Sequence, residues 1–318
     1  MKKIFMTFGG GIQNYIDASK RLHEQVSNLE LFDESHLITD NELQKDTEFW
    51  VKHGNFITNN KRGYGFWVWK SYMIHKLMKQ LNNGDVLMYL DAGCEVNIEK
   101  KQKIKELFEI VQKDAIICTT TRFKEKSWTK RDIFIELDCE HEKYWNSNQH
   151  QSGVLMFLKC SKVMKLIEEW KYFSVKYNLI DDSPSKNKNF SEFQCNRHDQ
   201  SLLSLLLKKH QILSKVSLFP YIEVSRNRSG KSKIKYNNKM ETKNNEVAKE
   251  YYYIVKNNCR RKDLRLRVLK DAYLRKKLNN DQLQSNKIAI KKGDLLSCSQ
   301  IDDFNNKFYY ICLIKIIK

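Results

Sequence analysis

No apolar run in these 318 residues approaches the roughly 20 needed to cross a bilayer. The nearest, 308–317, is interrupted by Lys315. The start, Met1-Lys2-Lys3 followed only by residues 4–8 before three glycines, is too short for the apolar region of a secretory signal. Eight cysteines stand at 94, 118, 139, 160, 195, 259, 298 and 312 without one C-x-x-C pair. That pattern argues against a zinc site or a disulfide framework and for reduced, core-filling thiols in a cytosolic protein. No Walker-type loop is present, Gly9-Gly10-Gly11 lacks the spacing of a dinucleotide fingerprint, and neither a Ser-His-Asp order nor a paired-histidine motif stands out. No histidine follows His210.

What the chain does have is material for a large core. Its 41% apolar and 12% aromatic residues exclude a disordered polymer, and its length fits one large α/β domain with an appendage. The net charge of +19 is uneven: residues 229–318 hold 22 of the 57 bases and 9 of the 38 acids. Such a surplus suits nucleic acid, an anionic membrane surface or an acidic substrate, or else reflects a Lys- and Asn-rich bias that solvates helices. The division expected is a folded region, 1–228, and a basic, largely helical extension, 229–318.

Strand and helix signals alternate along the first region. Residues 4–8 read as a strand ended by the glycine turn, 13–30 as an amphipathic helix, 35–38 as a short strand and 64–81 as a helix with Trp67, Tyr72, Ile74, Leu77, Met78 and Leu81 at apolar positions. Strands follow at 86–90, 115–119 and 154–158, with helices at 99–112, 161–177 and 199–209; the stretch 246–283 reads as a basic helix. A loop is expected at 181–190. This alternation predicts an α/β fold with a mostly parallel sheet flanked by helices.

Four segments could carry chemistry. Val86 to Leu90 is a buried-strand pattern that delivers Asp91 to its carboxyl end, where open α/β sheets bind ligands. Asp91 and Glu95 are hard oxygen donors of the kind that magnesium or manganese needs, although neither their spacing nor a lone acid is specific. In Arg62-Gly63-Tyr64-Gly65-Phe66-Trp67-Val68-Trp69-Lys70, aromatic planes such as Trp67 can stack on a base or sugar, and Arg62 or Lys70 can neutralise phosphate; an aromatic helix start in the core explains it as well. Arg197-His198-Asp199-Gln200-Ser201 opens a leucine-rich helix. Asp199 is there a general base or merely a cap, Gln200 a donor-orienting group, and His198 a metal ligand or a structural histidine. Gln149-His150-Gln151-Ser152-Gly153 precedes a strand, and Gly153 permits close backbone approach by a ligand.

Taken in order, T-F-G-G-G at 7–11, R-G-Y-G-F-W-V-W-K at 62–70, G-D-V-L-M-Y-L-D-A-G-C-E at 84–95 and R-H-D-Q-S at 197–201 resemble a family of GT-A-type glycosyltransferases found in bacterial surface-polysaccharide clusters and some large viruses. The resemblance spans about residues 1–228. It implies a Rossmann-like nucleotide-binding half, a nucleoside-diphosphate sugar as donor, and a glycan or glycolipid hydroxyl as acceptor. It places Phe8, Gly9, Arg62, Trp67, Lys70, Gln151 and Gly153 at the donor, and Asp199, Gln200 and Asp91 at the reaction centre. Asp91 falls where such enzymes carry a D-x-D motif for Mn or Mg, but Gly93 stands at the second acid. Asp91, Glu95 and His198 are therefore the expected metal ligands, or else metal is dispensable and Lys70 with Arg62 neutralises the leaving group. The basic extension, with Tyr251 to Tyr253 and segment 308–317, is expected to hold a cytoplasmic enzyme peripherally at an anionic inner leaflet. The rival readings are a non-catalytic nucleic-acid-binding protein and an inactive sugar-nucleotide-binding relative.

Overall fold

The computed structural model of the chain describes residues 1–212, 216–218 and 220–234, and beyond them seven strands between 251 and 314. Two compact units result, Met1–Asn237 and Asn238–Lys318. The first runs past residue 228 because 225–233 is hydrogen-bonded into it, through Arg21 and Glu95.

In chain order the first unit contains β1 (Lys3–Gly9), α1 (Gln13–Ser27), β2 (Glu34–Thr39), α2 (Asp40–Lys45), α3 (Thr47–Asn59), α4 (Gly63–Phe66), α5 (Val68–Lys79), β3 (Val86–Leu90), α6 (Lys101–Asp114), β4 (Ile116–Lys124), α7 (Glu125–Trp128), α8 (Arg131–Glu136), α9 (Glu142–Trp145), β5 (Asn148–Leu158), α10 (Ser161–Ser174), α11 (Tyr177–Ile180) and α12 (Asp199–Lys209). Local chemistry sets several boundaries. A capping box between Thr39 and Glu42 starts α2, and the Asp46 carboxylate accepts from the Phe49 amide, 3.3 Å, to start α3.

The five strands form one mixed sheet in the order β2-β1-β3-β5-β4. Strands β2, β1 and β3 are parallel, while β5 runs antiparallel to both β3 and β4. The apolar runs thus announce burial on both faces but not the reversed direction of β5. Side chains alternate between two cores: Ile4, Met6, Leu87 and Tyr89 join Ile74 of α5, Leu166 of α10 and Leu203 of α12, whereas Phe5, Val86, Met88 and Leu90 join Leu22 of α1 and Ile104 of α6. Each fully buried Leu or Phe contributes about 1.5–3 kcal/mol, so this two-sided burial is what fixes the strand register. The five cysteines described in this unit are all free, three of them buried.

The helix expected over 64–81 is interrupted. Five consecutive residues, Gly63, Tyr64, Gly65, Phe66 and Trp67, have positive φ, between 50° and 80°. The Phe66 and Trp67 amides donate to the Arg62 and Gly63 carbonyls at 2.8 and 3.1 Å, closing a left-handed turn ahead of α5. Glycine adopts this conformation freely, but each L residue in it costs roughly 1–2 kcal/mol.

In the second unit the stretch 246–283, expected to be helical, instead contains strands Tyr251–Lys256, Arg265–Arg267 and Ala272–Leu274. Strand Tyr251–Lys256 pairs antiparallel with Lys307–Ile314, which takes up most of the apolar end segment. β-Branched and aromatic residues dominate both stretches, and such residues favour strands over helices. Apart from its seven strands, the residues of this unit lie outside those described.

Candidate active site

Lys70 lies in the first turn of α5, its side chain 1% exposed, because the left-handed turn before it aims the helix start at the carboxyl end of the sheet. Its ammonium is 3.1 Å from Asp91 Oδ1, just beyond β3, and 3.0 Å from Asp199 Oδ2, the first residue of α12. Three segments far apart in sequence, R-G-Y-G-F-W-V-W-K, Y-L-D-A-G-C-E and R-H-D-Q-S, therefore meet at one buried cation. Two carboxylates around one ammonium leave the cluster with net negative charge.

The partners of each group define its role. Tyr89, two residues before Asp91 and on the same face of the strand, donates its hydroxyl to Asp91 Oδ1 at 2.7 Å. The Asp91 amide donates to the Gly153 carbonyl, 2.8 Å, and a Cβ at Gly153 would lie 2.4 Å from Asp91 Oδ2. Glycine at 153 thus makes room for the aspartate. Asp91 keeps 41% of its side chain exposed, whereas Asp199 keeps 5%. The Asp199 carboxyl is held by the Lys70 ammonium at Oδ2 and by the Ser152 side chain.

Burial raises the Asp199 carboxyl above the ordinary range; Lys70 opposes the shift and the like charge of Asp91 adds to it. Burial works against the Lys70 ammonium, but Asp199 and then Asp91 outweigh it and hold its pKa above the usual lysine value. The Tyr89 phenol is pushed well up, by burial first and then by Asp91. His198, next to Asp199, has φ 58° and ψ −126°, a region that residues with a Cβ rarely enter. Its Nδ1 lies 2.6 Å from the Ile180 carbonyl, its ring packs against Phe66 and Trp67, and its Nε2 is buried without a hydrogen bond. Burial depresses its pKa, so it is a neutral donor to that carbonyl. Strain gathers on both segments that flank the cluster, as it does at sites where geometry serves chemistry.

The other residues expected at the donor are placed as follows. Phe8 is buried and stacks on Trp69 at 3.8 Å, and a Cβ at Gly9 would strike the Tyr15 carbonyl and the Ser19 side chain, so α1 closes directly on the end of β1. Trp67 lies against His198. Arg62 is exposed and pairs with Asp182 at 2.9 Å. Gln151 lies part-buried in β5, two residues from Gly153. Gln200 donates to Gln149 Oε1 at 2.6 Å and is thereby turned into a network inside the protein.

The three expected metal ligands do not fit a resident divalent ion. Glu95 is fully buried and its oxygens are taken by the Ser225 and Ser232 hydroxyls, each at 2.9 Å, and by the Lys233 amide at 2.8 Å. These bonds hold its carboxyl below the usual range against the opposing effect of burial. His198 turns its Nδ1 to Ile180, and the cation position between Asp91 and Asp199 is filled by Lys70. No group of three or more His, Cys, Asp or Glu among the described residues is arranged to hold a metal.

No family model matches the chain, and no curated protein matches it in sequence. Among solved structures, a mouse xyloside xylosyltransferase matches with a TM-score of 0.37 at 13% identity, over 68% of this chain and 85% of that one. A galactosyltransferase, LgtC, in complex with donor and acceptor analogues matches at 0.33 and 13%, over 64% and 69%. A mannose-6-phosphate isomerase from Helicobacter pylori matches at 0.30 and 13%, over 70% and 93%. With scores of this size, the functional argument rests on the site itself.

Sequence reading missed three parts of this site. Tyr89 is hidden in an apolar run, although its i, i+2 relation to Asp91 put both on one face. Ser152 supplies a carbonyl and a hydroxyl 3.4 and 3.5 Å from the Lys70 ammonium, and although it lies in the candidate segment 149–153, only Gly153 and Gln151 carry an expected role there. Arg21, in the middle of α1, donates to the carbonyls of Ala92, Cys94, Asn227 and Ser229, tying the turn after β3 to the segment 225–233. Only an arginine unexpectedly buried on an amphipathic helix would have signalled it.

Proposed function

We propose that this chain is a glycosyltransferase that moves a sugar from a nucleoside-diphosphate sugar to a hydroxyl of a glycan or glycolipid acceptor. The observation that carries the reading is the meeting of Asp91, Lys70 and Asp199, contributed by the very segments whose order resembles GT-A enzymes. The cluster stands at the carboxyl end of β3, where open α/β sheets take ligands. In the reaction the acceptor oxygen forms a bond to the anomeric carbon as the bond from that carbon to the diphosphate oxygen breaks; the diphosphate leaves with the electron pair, and the acceptor hydroxyl gives its proton to the Asp91 carboxylate. Asp91, the exposed carboxylate, faces the sugar and the acceptor. Lys70 and Tyr89 fix its orientation, and Asp199 stands behind them as the counter-charge that holds the Lys70 ammonium in place. No step depends on a metal ion.

The basic surplus beyond residue 229 supports a peripheral position at an anionic membrane face of the cytoplasm. No helix among the described residues is long and apolar enough to cross a membrane. Equal partitioning of the full chain and a form lacking 238–318 on vesicles containing phosphatidylserine would remove that proposal.

The test of the catalytic reading is donor turnover. A panel of nucleoside-diphosphate sugars is incubated with the wild type and with Asp91→Ala, and free nucleoside diphosphate is measured. The wild type releases it from at least one donor and the variant does not; undiminished release by the variant would sink the role given to Asp91.

A further inference from the structure

The turn after β3 and the start of α1 are bridged by residues 225–230, which cross between the carboxyl ends of β3 and β1. At one end the Asn227 amide donates to the Gly93 carbonyl at 2.9 Å, and a Cβ at Gly93 would lie 3.3 Å from the Arg226 Cα. At the other end the Arg228 guanidinium lies over the Tyr15 ring, 5.5 Å from its centre, and a Cβ at Gly230 would lie 3.3 Å from the Asp17 Cβ. This strap is firmly anchored. Arg21 donates to the Asn227 and Ser229 carbonyls at 3.2 and 2.9 Å, and the buried Glu95 carboxylate accepts from Ser225, Ser232 and the Lys233 amide.

On the strap itself the hydrogen-bonded groups include backbone atoms and the Ser225 and Ser232 hydroxyls. The two long cations take no part in these bonds: Arg226 and Arg228 are exposed and make no ion pair with any described residue. Arg226 is held in the left-handed region, φ 51°, which an arginine adopts only at a cost. The strap thus carries unpaired positive charge over the turn after β3, where Gly93 and the occupied Glu95 leave no pair of acids to hold a divalent ion.

We propose that residues 225–230 form the diphosphate clamp of this site, Arg226 and Arg228 supplying the positive charge that would otherwise come from a divalent ion held by Asp91 and Glu95. The inference rests on the glycosyltransferase reading and names the groups that meet the donor's leaving group. Arginine suits the task because its planar fork pairs with two phosphate oxygens at once. Glu95 is then a positioning residue. It anchors the strap and does not touch the ligand.

The experiment is calorimetric titration of the full chain with UDP, GDP, CDP and ADP, each in EDTA and in manganese, for the wild type and for Arg226→Gln with Arg228→Gln. Both side chains are exposed and the hydrogen bonds that anchor the strap are kept, the Arg228 contact with Tyr15 alone being lost, so an unchanged melting midpoint checks the fold. In the wild type one of these diphosphates binds in EDTA within about threefold of its affinity in manganese, and the double variant binds it at least tenfold more weakly, about 1.4 kcal/mol. Binding that requires manganese, or equal affinity of variant and wild type, overturns the clamp and leaves the glycosyltransferase reading standing. Binding of none of the four in either condition overturns both.

Discussion

Lys70, buried, and Lys208, part-buried, lie on the same face of the sheet, and their surroundings are opposites. Lys208 pairs with Glu125 at 2.5 Å, one charge against one. Glu125 is wholly buried, and each of its oxygens is satisfied: Oε1 also accepts from the Ser204 hydroxyl, while Oε2 accepts from Thr129 at 2.6 Å and Gln149 at 3.3 Å. Lys70 is shared between two carboxylates, one of them open to solvent and the other buried, and left-handed backbone lies on both sides of it. A network that is neutral, closed and fully bonded holds a fold together. A network left charged, open and strained is kept for what it does. The comparison assigns structure to Glu125–Lys208 and chemistry to Asp91–Lys70–Asp199.

The largest effect that separates the two is on turnover. Asp91→Asn preserves shape but removes the charge, and it is expected to lower donor turnover by about 10²–10⁴-fold, the range for losing a positioned acid or base. Because Asp91 is partly exposed, its urea midpoint should stay near that of the wild type. Glu125→Gln should do the reverse, lowering the urea midpoint while the folded fraction turns over normally. Comparable losses of turnover in both variants, each normalised to folded protein, would break the comparison.

Stability gives the next effect in size. Lys208→Met leaves the Glu125 carboxylate buried without its counter-charge, and such losses cost about 3–5 kcal/mol. Burial lowers the Lys208 pKa and Glu125 opposes it, so each charge depends on the other. Urea unfolding at neutral pH checks the figure. A loss below about 1 kcal/mol would mean that the network has relaxed or admitted water, and Lys208 would no longer serve as the structural half of the pair.

The architecture was legible because burial is written in composition. The continuous apolar run 86–90 and the leucine stripe 199–209 coincide with β3 and α12, since every residue of β3 and every leucine of α12 is buried. The direction of β5 was not legible, because a fully buried strand looks the same read either way. The turn at 63–67 was misread as helix, for only its two glycines hint at positive φ and three aromatics adopt it beside them. The site was legible as separate segments, not as a geometry: that Lys70 faces two acids at once depends on the placement of three elements by long-range packing. Glu95 shows the limit most plainly. Its spacing from Asp91 suggested a shared ion, and only the fold reveals the strap that claims its oxygens.

The smallest predicted effect concerns pH, and it sharpens the structural side of the comparison. His150 opens the same network: its amide donates to the Ser204 hydroxyl at 2.7 Å, and its Nδ1 lies 3.0 Å from the Thr120 hydroxyl. Burial first, and then the Lys208 charge, lower its pKa to about 3 from the ordinary 6.5. The native imidazole therefore stays neutral over a range in which the unfolded one takes up a proton. Its contribution is complete above pH 6.5 and is lost as pH falls from there towards 3, at about 1.4 kcal/mol per unit. Asp199, its pKa raised, works in the opposite sense above its ordinary value, so the informative quantity is the difference between the wild type and His150→Gln. Between pH 7 and pH 5 the wild type should lose about 2 kcal/mol more than the variant in urea unfolding. Equal losses would show that His150 is protonated within the folded protein at pH 5, and the network around Lys208 would then be open to a second positive charge.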